Sequence, residues 1–158
     1  MYIDSALQFS DAQTFAAGGG VGDNVIDLGS DRSIGNGEPM AVMFVVEVAA
    51  DQTSGDEDYT FDVEYASNAA QSAGVQLIGR RVFESGTPTA PAQDADLLVA
   101  GFRFYIPLPP VTAAEDEQFI GIRYVTAGST PIITCSAHLI PLSFADSYVD
   151  YANNYTIV

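Results

Sequence analysis

Tyr59-Thr60-Phe61-Asp62-Val63-Glu64-Tyr65 decides the fold class. Every second residue is large and apolar or aromatic: Tyr59, Phe61, Val63 and Tyr65. Thr60, Asp62 and Glu64 fall between them. A period of two places the first set on one face of a strand and the second on the other, the pattern of a half-buried β-strand. A helix face would need apolar positions three apart as well as four apart, and no two of these are three apart.

The same reading extends in both directions. Strands are expected near 24–28, 40–49, 75–83, 98–106, 118–126 and 132–140. Turn-formers separate them: the run Gly18-Gly19-Gly20 with Gly22, the segment Gly35-Asn36-Gly37-Glu38-Pro39, an acidic loop from Asp51 to Asp58, Thr87-Pro88-Thr89-Ala90-Pro91, and Pro107 to Pro110. Helix is expected at most around 4–14 and 143–153. An eighth strand is available from either end, since residues 2–9 put Ile3, Ser5, Leu7 and Phe9 on one face and Tyr155 to Val158 has strand composition. Short strands at this spacing predict an all-β chain, an antiparallel β-sandwich with a jelly roll of about eight strands. Composition alone does not separate that from an immunoglobulin-like sandwich. The expected core holds Val25, Ile26, Leu28, Val42, Phe44, Val46, Phe61, Val63, Phe102, Phe104, Ile120, Ile122, Cys135 and Leu139.

A length of 158 residues fits one domain spanning 1–158, with no repeat and no linker. Apolar residues make up 47% and charged residues 16%, a balance that favours a packed core over disorder. The formal net charge is −16, from 21 acidic and five basic residues. The basic residues are Arg32, Arg80, Arg81, Arg103 and Arg123, and lysine is absent. A field of that sign repels phosphate, which argues against nucleic acid and anionic membranes as partners. The longest apolar stretch, Met40 to Val46, is far too short to span a bilayer. The N-terminus, Met1-Tyr2-Ile3-Asp4, lacks the basic start and apolar stretch of a signal peptide, so use without secretion is expected.

Catalytic chemistry finds little footing. Without lysine there is neither a Walker-type phosphate loop nor a Schiff base, so the Gly18–Gly22 run reads as a mobile loop. His138 is the only histidine, and no Gly-x-Ser-x-Gly elbow accompanies it. Alternation over 132–139 sets Ile133, Cys135, Ala137 and Leu139 on the apolar face, with Thr134, Ser136 and His138 on the wetter one. Cys135 is the only cysteine and reads as a small core hydrophobe. Asp51, Asp56, Glu57 and Asp58 share one loop, but their spacing does not match a calcium loop, and a solvated acidic turn is the preferred reading. No catalytic residue, cofactor or metal ligand is therefore assigned, and the chain is expected not to be an enzyme.

Four short blocks in order carry a resemblance: Met1-Tyr2-Ile3-Asp4-Ser5, Phe9-Ser10-Asp11-Ala12-Gln13, Asn24-Val25-Ile26-Asp27-Leu28-Gly29 and Ile34-Gly35-Asn36-Gly37-Glu38-Pro39. They resemble the start of capsid cement proteins of the Bordetella-phage type, head decoration proteins of tailed bacteriophages. The resemblance implies a jelly-roll sandwich, a homodimer, and binding to the major capsid protein on the outer surface of the virion.

On the residues themselves, Tyr2, Ile3, Leu7 and Phe9 read as anchors of an N-terminal arm spanning 1–9. The competing reading is that this stretch completes the domain's own sheet. Tyr148, Tyr151 and Tyr155 read as anchors of a C-terminal arm spanning 148–158. Arg80 and Arg81 are the other candidate contacts. As strand neighbours they point to opposite faces, and at most one is expected to be buried. The alternative function is a carbohydrate- or receptor-binding sandwich of a phage fibre or adhesin, with tyrosines as its platform. A degenerate jelly-roll enzyme stands third.

Overall fold

The computed structural model describes residues 5–29, 38–85, 94–109 and 118–145. Among them are nine strands: β1 (Gln8–Phe15), β2 (Gly20–Val21), β3 (Ile26–Asp27), β4 (Met40–Val48), β5 (Asp58–Ala66), β6 (Gln76–Glu84), β7 (Arg103–Pro107), β8 (Phe119–Ala127) and β9 (Ile133–Pro141). One helical turn, α1 (Leu142–Ala145), follows β9, and short 3-10 turns cover Ser5–Leu7 and Asp94–Leu97.

The strands form two antiparallel sheets. Sheet one has the order β1-β9-β4-β7, and sheet two the order β2-β8-β5-β6 with β3 also on β8. β2 and β3 lie along the same side of β8, at Tyr124–Arg123 and Ile120–Phe119, and act as one interrupted strand. Counted so, eight strands make two four-stranded layers. The chain alternates between the layers at every step except the β5–β6 hairpin. This is the double-sheet order of a jelly roll.

The alternation in β5 orients the sandwich. Tyr59, Phe61, Val63 and Tyr65 point between the sheets and meet Val42, Phe44 and Val46 of β4, Ile120, Ile122 and Tyr124 of β8, and Cys135 and Leu139 of β9. Aromatic rings fill the middle: Phe61 stands edge-on to Phe44 at 5.3 Å, Phe104 at 4.9 Å and Tyr124 at 5.5 Å between centroids. Truncating such a ring costs roughly 3–5 kcal/mol.

Several expectations need correction. Val25 is not in the core, and Ile26, Leu28, Phe102 and Phe104 are only partly buried against it. Among the described residues the first strand is Gln8–Phe15, beyond the expected 2–9, and helix within the expected 4–14 is limited to the 3-10 turn at Ser5–Leu7. The seventh strand starts at Arg103 rather than near 98, because Gly101 turns the chain with φ +87. The Gly18–Gly22 run is not a mobile loop. Gly20 and Val21 pair with β8, and a Cβ on Gly19 would stand 2.0 Å from the Tyr124 carbonyl oxygen. The glycines permit that close approach of two backbones.

Candidate functional site

The exposed faces of the two sheets carry the functional question among the described residues. Among them no three His, Cys, Asp or Glu side chains lie placed to hold a metal ion. Burial pushes the Cys135 thiol far above its ordinary range. A protonated thiol sealed in a core is a poor nucleophile.

The acidic loop is not simply solvated. Asp51 accepts from the backbone N–H of Thr53 at 2.9 Å, and Asp56 accepts from Ser129 N–H at 3.1 Å and Oγ at 2.8 Å. Glu57 is buried and accepts from the N–H groups of Ser54 and Asp56 and the Ser85 hydroxyl. Burial would raise the Glu57 pKa, but these donors outweigh it and leave it lowered. The side-chain and backbone donors of Thr53 and Ser129 lower Asp51 and Asp56 likewise. The carboxylates therefore serve as turn caps.

The outer face of sheet one is largely closed. Ala41, Met43 and Ile140 are buried with Ala145 of α1, beside Val45, Tyr105 and Leu142. Thr134 and Ser136, expected on a wet face, are buried too. Thr134 shares a 2.8 Å hydroxyl contact with Thr14, and Ser136 donates to Glu47 at 2.9 Å and accepts from Ala12 N–H at 2.9 Å. His138 is half-buried in the same row, and its Nδ1 is enclosed with no hydrogen-bond partner among the described residues. Burial lowers its pKa, against the opposing pull of Asp11 and Glu47.

The outer face of sheet two differs. Strand registers build rows across β6, β5 and β8: Val82–Thr60–Val125, then Arg80–Asp62–Arg123, then Leu77–Glu64–Gly121. Asp62 and Glu64 are only 2% and 5% exposed, so both faces of β5 are covered. Arg80 grips Asp62 through Nε and Nη2, each at 2.7 Å. Arg123 meets Glu64 at 3.0 Å and donates through Nη2 to the Gln71 carbonyl at 2.8 Å. That carbonyl belongs to the β5–β6 hairpin loop, which folds over this end of the sheet. Gln71 itself lies over Gly121, where a Cβ would come within 2.1 Å of its amide nitrogen. Beyond the loop the face is open, with Leu77 51%, Val82 36% and Val125 38% exposed.

The predicted contact residues scatter. Phe9 is fully buried in the core and Leu7 packs against it. Both are anchors of the fold rather than of a free arm, because β1 pairs with β9. Of the two readings of residues 1–9, completion of the domain's own sheet holds for Phe9, while Leu7 packs on the core from the 3-10 turn before β1. Tyr2, Ile3, Tyr148, Tyr151 and Tyr155 lie outside the described residues. Arg80 and Arg81 do take opposite faces and both are exposed. Arg81 sits with its guanidinium carbon 5.1 Å from the Phe83 ring centroid. Tyr59, Tyr65 and Tyr124 are in the core and unavailable to a sugar-binding platform.

A family model described as Bbp16 matches residues 9–137, from the second residue of β1 into β9. The chain belongs to the Bbp16 family. That family is named after a Bordetella phage protein, and the matched span takes in every strand of the sandwich. No curated protein matches the chain. The Bbp16 family match starts at Phe9, within the second of the four blocks that carried the resemblance in sequence.

Proposed function

We propose that the chain is a non-enzymatic cement protein of a tailed-phage head. In this reading it binds the outer surface of the capsid as a homodimer and bridges adjacent major capsid proteins. The observation that carries the reading is the Bbp16 family match over residues 9–137, which reaches every strand of the sandwich. Two physical features support it. A net charge of −16 opposes an inner position against packaged DNA. The face of sheet two is left open, with β-branched and apolar side chains beside a row of paired charges. Individually weak contacts suffice in such a role, because a dimer spanning two sites on a repetitive shell gains affinity from effective concentration.

Imaging purified virions with and without the protein tests this. Density for the sandwich is expected on the outside of the head, between capsid subunits, and heads lacking it should rupture at lower temperature. Density in the tail or inside the shell would overturn the reading.

A further inference from the structure

Among the described residues the two sheets end in four strand edges that no further strand pairs, and three of them are blunted. β1 carries two register shifts against β9 and an Ala12 at φ +46. β2 and β3 are two residues each. β7 has five residues and ends at Pro107, which has no N–H to give. Short strands, bulges and prolines are the devices by which sheets avoid pairing with other chains. β6 has none of them over Gly79–Glu84. It is nine residues long, and its one irregularity against β5 falls before Gly79. Among the described residues no strand pairs with its far side.

We propose that two copies of the chain join along this edge, β6 to β6, antiparallel across a two-fold axis at Val82. This deepens the homodimer in the function proposed above and rests on it. Residues directly opposite in an antiparallel pair share a face, so a symmetric pairing must centre on one residue. Centring on Arg80 or Arg81 sets two arginines against each other. Centring on Val82 sets Val82 against its copy and Arg80 opposite Glu84 of the second copy, twice. On the inner face it sets Arg81 opposite Phe83, the ring type it already covers within its own chain.

The Arg80 guanidinium reaches Asp62 through two of its nitrogens and retains donors for a second carboxylate. Charge favours this edge over β1, β2 and β3. β6 holds two of the five arginines and one glutamate in a chain of net charge −16, a local balance of +1 shared with the shorter β7, so approach here meets little repulsion. The join also runs the open row on through Val125, Thr60 and Val82 into the copy's Val82, Thr60 and Val125.

Sedimentation of the purified chain over a range of concentration and salt gives the first readout, and a dimer is expected. Val82→Asp places two carboxylates opposite each other and should weaken the dimer at least about tenfold, with an unchanged circular dichroism spectrum. Val82→Cys should cross-link to a covalent dimer on oxidation, whereas Val48→Cys, more exposed and on the other sheet, should not. Should Val82→Asp fail to fold, the cross-link decides. A dimer that survives Val82→Asp and gives no Val82→Cys cross-link overturns the β6 edge and leaves the homodimer standing. A monomer at every concentration overturns both.

Discussion

The outer faces of the two sheets start from the same strand pattern and end differently. On sheet one, Ala41, Met43 and Ile140 are sealed against α1, and Thr134 and Ser136 are buried in a net of hydroxyl contacts. On sheet two, Leu77, Val82 and Val125 stay in water beside buried carboxylates held by arginines. Alternation decides which residues leave the sandwich core. It does not decide whether the outside is wet, because that depends on which later segment folds over it. Sheet one is closed by its own chain, whereas among the described residues sheet two is covered only at its hairpin end.

Placing a charge on each face should separate them most sharply. Ala41→Asp buries an unpaired carboxylate and should cost about 3 kcal/mol or more. Val125→Asp, on the open face, should stay within roughly 0.5–1 kcal/mol. Denaturant midpoints of the two variants measure this. Equal costs would erase the distinction between a closed and an open face.

The ion pair tests the buried layer beneath the open face. Arg80 is 52% exposed and Asp62 only 2%. Losing the arginine strands a buried carboxylate, while losing the aspartate leaves a guanidinium that water can reach. Arg80→Ala should therefore cost about 2 kcal/mol and Asp62→Ala about 1 kcal/mol, both discounted for the exposure of the arginine. The reverse order in chemical denaturation would show that Asp62 draws its stability from elsewhere.

Much of this was legible in the residues. β4, β5, β6, β8 and β9 fall within about two residues of their expected spans, because each is a nine-residue run bounded by turn-forming residues. β1 escaped, since Ala12 and the register shifts break its period. The glycine run hid a strand, because a close backbone approach leaves no mark except the glycines themselves. The open face was half visible: Arg80 was singled out, but its partner was expected on another molecule and is Asp62 of the same chain. Val82 and Val125 drew no attention, because exposure follows from the fold and not from residue type.

Gly121→Ala probes the one place where sheet two is covered by its own hairpin. The added methyl would meet the amide of Gln71, which is buried and itself at φ +50. The buried Gln71 amide must move, and where the loop 67–75 lifts with it Arg123 loses its carbonyl partner. A cost of roughly 1–2 kcal/mol is expected, with faster hydrogen exchange confined to this loop. Unchanged exchange there would mean that Gln71 can swing aside freely.

The smallest effect is a pH dependence on the closed face. His138 faces Asp11 from β1 and Glu47 from β4, yet burial dominates and lowers its pKa from the ordinary 6.5. The unfolded chain therefore takes up a proton at a pH where the folded chain resists one. Stability from this residue is complete above about pH 6.5 and is lost as pH falls through that value toward the lowered one. Free carboxylates titrate near pH 4, so the interval from about pH 7 to 5 isolates the histidine. Denaturation midpoints across that interval should slope downward with falling pH, and the slope should flatten in His138→Gln. On an open face the same histidine would be solvated and contribute no slope. A wild-type profile identical to that of His138→Gln would place His138 in water and remove it from the sealed row of Thr134 and Ser136.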